Sequence, residues 1–190
     1  MSLPKVVGAT ALLSMLCLAA GLQAQTADSQ STSDKGSKVR IVRLSEVKGS
    51  VQMDRAIGRG METAIANLPI VEQTRLQTGM GAAEVEFEDN SSLRMGPDSV
   101  VEFPKLERMP NGGTVSWARV LKGSAYVSML KANSKDEFDL LFGAQKVTLP
   151  GSSHVRLEMG SGDAKLAVLE GGLKLESTTG EVDVTKKKTV

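Results

Sequence analysis

The chain has 190 residues, enough for one domain, with 23 Lys and Arg against 22 Asp and Glu. That near-balance excludes a nucleic-acid interface, which is built from excess cation. A single cysteine and a single histidine exclude a disulfide framework and leave too few ligands for a zinc site.

The chain opens on a secretory leader. Lys5 is followed by an uncharged run over residues 6–22, rich in Leu, Val and Ala, and then by Ala24 and polar residues. A basic start, an apolar middle and a small residue at the cut are the layout of a signal peptide, with cleavage expected between Ala24 and Gln25 and Gly21 as a second candidate. The run falls short of the roughly 20 residues that a spanning helix needs. A cleaved leader is therefore expected over a retained anchor, with no transmembrane span in the mature chain. Leu16 before Cys17 argues against lipidation, which wants a small residue there. Without Lys5 the mature chain carries 22 cations and 22 anions, and no cysteine.

Residues 25–38 are polar and Ser/Thr-rich and read as a disordered linker. Folding is expected over residues 39–185, with the basic run Lys186-Lys187-Lys188 opening a solvated tail over 186–190. Val39, Ile41, Val47, Val51 and Met53 flank Lys48-Gly49-Ser50, which predicts strand, tight turn, strand. Met61, Ile65 and Leu68 fit one helical turn inside a loop over residues 58–73.

The clearest period-two pattern follows. Ala83, Val85 and Phe87 alternate with Glu84, Glu86 and Glu88, which predicts a strand with one buried and one wet face. Leu93 and Met95 resume the apolar face after Asp89-Asn90-Ser91. Both apolar sets share a side only if the hairpin loop is odd in length. A three-residue loop pairs Phe87 with Leu93 and Val85 with Met95, and sets Arg94 opposite Glu86. Gly96-Pro97-Asp98 is a second turn before a strand with Val100, Val101 and Phe103. Residues 115–122 form a strand that turns at Gly123-Ser124 into residues 125–129. Short strands follow at 138–142, 146–149, 155–159, 165–169, 173–176 and 182–185.

One unit recurs: an apolar residue two positions before a turn glycine, at Val47/Gly49, Leu121/Gly123, Leu149/Gly151 and Leu169/Gly171. The spacing is irregular, so no solenoid period is fixed, but the chain reuses one corner. The fold class expected is all-β: many short strands joined by Gly-rich corners in one twisted, solenoid-like or sandwich-like domain.

These residues resemble the FecR family, a periplasmic domain of iron-uptake sigma-factor regulators and of stand-alone envelope proteins. Leu76-Gln77-Thr78-Gly79 matches the family's Leu-x-Thr-Gly entry, the strand over 83–87 follows, and Pro97-Asp98-Ser99 matches its Pro-x-Ser close. Asp89-Asn90-Ser91 departs from Asp-Gly-Ser at the glycine. Gly123 with Tyr126 and Ser128, then Gly151-Ser152, then Leu169-Glu170-Gly171 continue the resemblance, with His154 where an aromatic is usual. The motif residues Thr78, Gly79, Asp89, Ser91, Pro97, Gly123, Gly151 and Gly171 are expected to be structural. In the family's iron regulators a cytoplasmic segment holds a sigma factor. Only a handful of residues precede the apolar leader here, so the resemblance implies the sensing or binding half and not that relay.

Catalytic chemistry finds little support. A Ser-His-Asp triad would have to use His154, and no Gly-x-Ser-x-Gly elbow presents a nucleophile. Glu84, Glu86 and Glu88 could contribute to a calcium site, but that ion wants six to eight converging oxygens. Gly58-Arg59-Gly60 and Gly79-Met80-Gly81 lack the third glycine of a nucleotide fingerprint. Trp117 and Tyr126 are candidate stacking residues for a sugar ring, although core positions suit them better. The sequence therefore points to an exported non-enzymatic module without cofactor or metal. It would bind or sense an envelope protein; the alternative partner is a cell-wall polysaccharide.

Overall fold

Fourteen strands follow from the alternation of apolar and polar residues, and none of the described residues forms a helix. They are β1 (Arg43–Lys48), β2 (Val51–Asp54), β3 (Glu62–Thr63), β4 (Thr74–Thr78), β5 (Ala82–Glu86), β6 (Ser92–Met95), β7 (Val100–Arg108), β8 (Thr114–Met129), β9 (Glu137–Phe142), β10 (Gln145–Thr148), β11 (Ser153–Met159), β12 (Ala164–Glu170), β13 (Gly172–Ser177) and β14 (Gly180–Thr185). The structure, a computed structural model, describes residues 40–130, 133, 135–177 and 180–185, all within one compact unit, Asp34–Val190. The expected cleavage site, linker and basic tail lie outside the described residues.

The strands form two sheets that share β8 and curl into a half-barrel. The first runs β3-β2-β4-β7-β8-β9-β10-β13-β14, and the second runs β1-β5-β6-β8-β11-β12. All pairings are antiparallel except β8 with β9. The first half of β8 pairs with β7 and β9, and the second half pairs with β6 and β11. Gly123 stands at the crossing. The Gly123-Ser124 pair predicts a turn there. Instead the strand continues through it, bent by a backbone at φ +80° that residues with a Cβ avoid. A Cβ at Gly123 would also lie 2.6 Å from the Cα of Ser99.

The recurring glycine unit now has a physical meaning. Gly49 leads from the second sheet to the first, Gly123 from the first to the second, Gly151 from the first to the second, and Gly171 back again. Each copy is a place where the chain crosses between sheets. The expected strand, tight turn and strand form around Lys48-Gly49-Ser50, but the two strands join different sheets. β1 pairs with β5 and β2 with β4, and never with each other. The corners also sit on one another. A Cβ on Gly49 would lie 2.8 Å from the carbonyl oxygen of Met80 in the β4–β5 corner.

The core lies between the sheets. One row of buried side chains crosses the whole second sheet in register: Leu44, Val85, Leu93, Val127, Val155 and Val168. In the first, a shorter row runs across β8, β9, β10 and β13 through buried Ala118, Leu140 and Val147 to partly buried Leu175. Phe87 and Phe138 meet across the gap edge to face, with centroids 5.2 Å apart. Fully burying each aliphatic side chain is worth about 1.5–3 kcal/mol, so these rows dominate the stability.

The β5–β6 hairpin keeps the expected parity but moves its register by two. Val85 pairs with Leu93 and Ala83 with Met95, not Phe87 with Leu93. The reason is local. The amide of Phe87 donates to Ser91 O and that of Asn90 to Phe87 O, so the loop takes five residues, with Asn90 left-handed at φ +62°. Arg94 therefore lies opposite Glu84, not Glu86. No helical turn forms over Met61, Ile65 and Leu68, and Ile65 is exposed. That segment closes one side of the half-barrel. The amide of Leu44 donates to Leu68 O and that of Ile70 to Val42 O, linking β1 to the chain that leaves β3. Val42 and Leu44 face inward and Ile41 outward.

Candidate functional site

Four of the family-motif residues, Thr78, Gly79, Pro97 and Gly123, meet at one seam. Thr78 is buried at the end of β4, and its hydroxyl donates to Gly96 O at 2.6 Å and accepts the Ser99 amide at 2.9 Å. The Ser99 hydroxyl in turn accepts the Ser124 amide at 2.9 Å. Three corners, at Gly79, at Pro97 and at Gly123, are thus stitched by two hydroxyl side chains. Asp89 caps its own turn, taking the Ser91 amide at 3.0 Å and the Ser91 hydroxyl at 2.7 Å, and Ser91 accepts the Leu130 amide at 3.0 Å. Motif side chains spent on such bonds serve the backbone and have little left for a ligand.

A cleft of about 220 Å³ opens between the sheets beside that turn, lined by Arg40, Glu88, Arg108, Ser116 and Phe138 among others. Its floor is an ion pair. Arg40, with a side chain only 4% exposed, grips Glu88 with two nitrogens, at 2.5 and 2.8 Å. It also donates to the carbonyls of Glu107 and Val115 and to Ser116 Oγ. Burial alone would raise the Glu88 pKa. The Arg40 bonds and charge, with backbone donors including the Ile41 amide, reverse that and hold it below 4.5. No local pattern links the members of this pair, which stand 48 positions apart.

The three glutamates do not converge. Glu84 faces Arg94 and Ser45, Glu86 faces Arg43 at 2.9 Å, and Glu88 turns into the cleft. Among the described residues no group of three or more His, Cys, Asp or Glu is arranged to hold a metal ion.

Trp117 and Tyr126 lie on outer faces, one on each half of β8. Lys105 Nζ sits over the Trp117 ring, 5.3 Å from its centroid, where a sugar would stack. The Trp117 indole nitrogen is buried without an acceptor. Its register neighbour Asp139 is fully buried, taking the Thr148 hydroxyl at 2.7 Å on one oxygen. Lys146 Nζ lies 3.2 Å from the other oxygen, close enough for charge pairing but off the line of a hydrogen bond. Burial, and then the neighbouring Asp139 carboxylate, push the Glu137 pKa upward. Tyr126 is 40% exposed, not core, between Arg94 and Arg156 on the flanking strands.

His154 falls in a cross-strand row with Ser128 and Glu170. Its Nε2 is 3.3 Å from Ser128 Oγ, but its Nδ1 is 4.0 Å from Glu170, too long for the hydrogen bond that orients a catalytic imidazole. The side chain is 43% exposed on an open face.

On the side away from the β3 closure, a groove of about 480 Å³ opens between the β9–β10 and β11–β12 loops, lined by Phe142, Met159, Leu166 and Leu175. Among the described residues, β12 pairs only with β11 and β14 only with β13. No helix among them is long and apolar enough to cross a membrane.

Two crystal structures of an anti-sigma factor candidate from Parabacteroides distasonis ATCC 8503 share this fold. Their TM-scores are 0.51 and 0.50, at 10% and 9% identity, over 60% of this chain. The chain spans about half of theirs, 52% in each case, so the likeness is one of fold alone. No curated protein matches the sequence. The model of the FecR protein family matches residues 74–174, just over half of the chain. That span runs from the Thr78 corner through the bent β8 to the start of β13, and on it the chain belongs to the FecR family.

Proposed function

We propose that the protein is an exported, non-enzymatic domain that senses or relays a signal in the bacterial envelope through contacts with another protein. The observation that carries this is the fate of the motif residues. Thr78, Ser99 and Gly123 join corners, so these motif residues build a scaffold and leave recognition to its edges and loops. Such a scaffold suits recognition by edge pairing and loop contact. Membership of the FecR family supports a regulatory role, and the anti-sigma factor candidates of like fold point the same way. Deleting the gene and comparing transcripts tests the reading. A discrete set of transcripts is expected to change, and to be restored by the parent chain and by His154→Ala alike. No transcriptional change, or a function lost specifically in His154→Ala, contradicts it.

A second reading, binding of an acidic cell-wall polysaccharide, is favoured by one feature: exposed Tyr126 flanked by Arg94 and Arg156. It moves the stacking residue from Trp117, whose ring Lys105 covers, to Tyr126. Retention on purified cell wall that falls with Tyr126→Ala and not with Trp117→Ala would favour it over the first.

A further inference from the structure

We propose that the β12 edge pairs with the β12 edge of a second copy, antiparallel about a twofold axis at Ala167. Among the described residues the second sheet ends there, and its blunting features, Lys165 and the bulge at Leu169, leave the run from Ala164 to Val168 regular. β12 runs seven residues with no proline and no charge on its inner face, and Lys165 is its one outward cation. Both apolar rows of the sheet stop at this strand, one at Val168 and the other, from Val47 through Ala83, Met95, Ala125 and Leu157, at Leu166. Leu166 also lines the groove that opens beside the edge.

The strand is complementary to itself. With the axis at Ala167, Leu166 of one copy faces Val168 of the other, twice, and each apolar row continues into the second molecule. On the outer face the row Glu84, Arg94, Tyr126, Arg156 ends in Ala167, the small side chain that a twofold contact with its own copy requires. Lys165 lies opposite Leu169, which is 48% exposed in the single chain and would cover the lysine stem. The bulge between His154 and Val155 leaves Glu170 on the outer face, near the end of the strand that carries Lys165 of the second copy. No like charges oppose one another in this register. At the other side of the sheet β1 is already covered by the segment that follows β3, so among the described residues β12 is the edge of this sheet without a second strand partner, and the pairing closes as a dimer.

Sedimentation of the protein purified from expression of the full chain tests this. A dimer is expected for the parent and a monomer for Ala167→Glu, whose carboxylate would face Arg156 within its own chain but its twin across the axis. The melting temperature of that variant should show that it still folds. In a Cys17→Ser background, Ala167→Cys should form a disulfide-linked dimer several-fold faster than Thr63→Cys on the opposite side. A monomeric parent, a dimer indifferent to Ala167→Glu, or equal cross-linking at both positions overturns the proposal. So does a monomer whose position 167 cross-links instead to a different protein, which would give the edge to a foreign strand.

Discussion

The corner seam and the cleft hold the same core by different chemistry. At the seam, Thr78 and Ser99 bridge three corners with neutral hydrogen bonds, and Gly123 lets two backbones touch. At the cleft, Arg40 and Glu88 bury opposite charges and tie the chain before β1 to the turn after β5 and to β8. The seam depends on residues small enough to fit and is indifferent to pH. The cleft depends on a charge that acid removes. A family can keep the first through short motifs, whereas the second needs two long side chains far apart in sequence.

Breaking what both regions share should cost most. Val85 is fully buried at the centre of the second sheet. Val85→Asp is expected to leave no folded protein, since burying a carboxyl group without a partner costs several kcal/mol even when it takes up a proton, on the order of the total stability of a domain. A retained β-sheet circular dichroism spectrum would show that the face is not buried.

Gly123→Val attacks the seam alone. It puts a branched side chain where the backbone is left-handed and Ser99 occupies the space. A loss of about 3 kcal/mol or more is expected from strain of that kind, read from urea midpoints. A variant as stable as the parent would mean that the strand is not bent there.

Glu88→Ala attacks the cleft and strands Arg40. Removing one partner of a buried pair costs about 3–5 kcal/mol, and the 18% exposure of Glu88 places this one nearer 2 kcal/mol. The sign with pH follows from the lowered pKa. The carboxylate stabilises the fold above the unfolded glutamate value, near 4.5, and that contribution is lost as pH falls through the folded value. Parent and variant should therefore converge in acid. A difference that stays constant below pH 4.5 would assign the loss to packing instead.

Thr78→Val is the smallest of the series. It keeps the volume but leaves the Ser99 amide without its acceptor, for about 1–2 kcal/mol with no pH dependence over the acid range. If Thr78→Val titrates like Glu88→Ala, the distinction between the two regions fails.

Much of the seam was legible in the sequence and little of the cleft. Period-two alternation located β5 and β6 and most later strands, because each strand reports its own buried face. The recurring glycine marked the corners as reused. It did not show that they cross between sheets, because β1 finds β5 across more than thirty residues and skips β2. Parity fixed which face of the β5–β6 hairpin is buried, but the left-handed Asn90 set the loop length and moved the register by two. Met61, Ile65 and Leu68 have helical spacing, yet no helical turn forms, because the backbone of the segment closes the sheet against β1. Arg40, two residues beyond the expected linker, looked like any surface cation until the fold placed Glu88 against it.

Native-state hydrogen exchange along β8 tests most directly the claim that one bent strand makes a single core of two sheets. Amides from Val115 to Val120 lie in the first sheet and those from Ala125 to Met129 in the second. Both groups are expected to exchange only through global unfolding, with the same free energy and the same dependence on denaturant. If the amides beyond Gly123 open at a distinctly lower free energy than those before it, the sheets are separate units and the seam does not unite them.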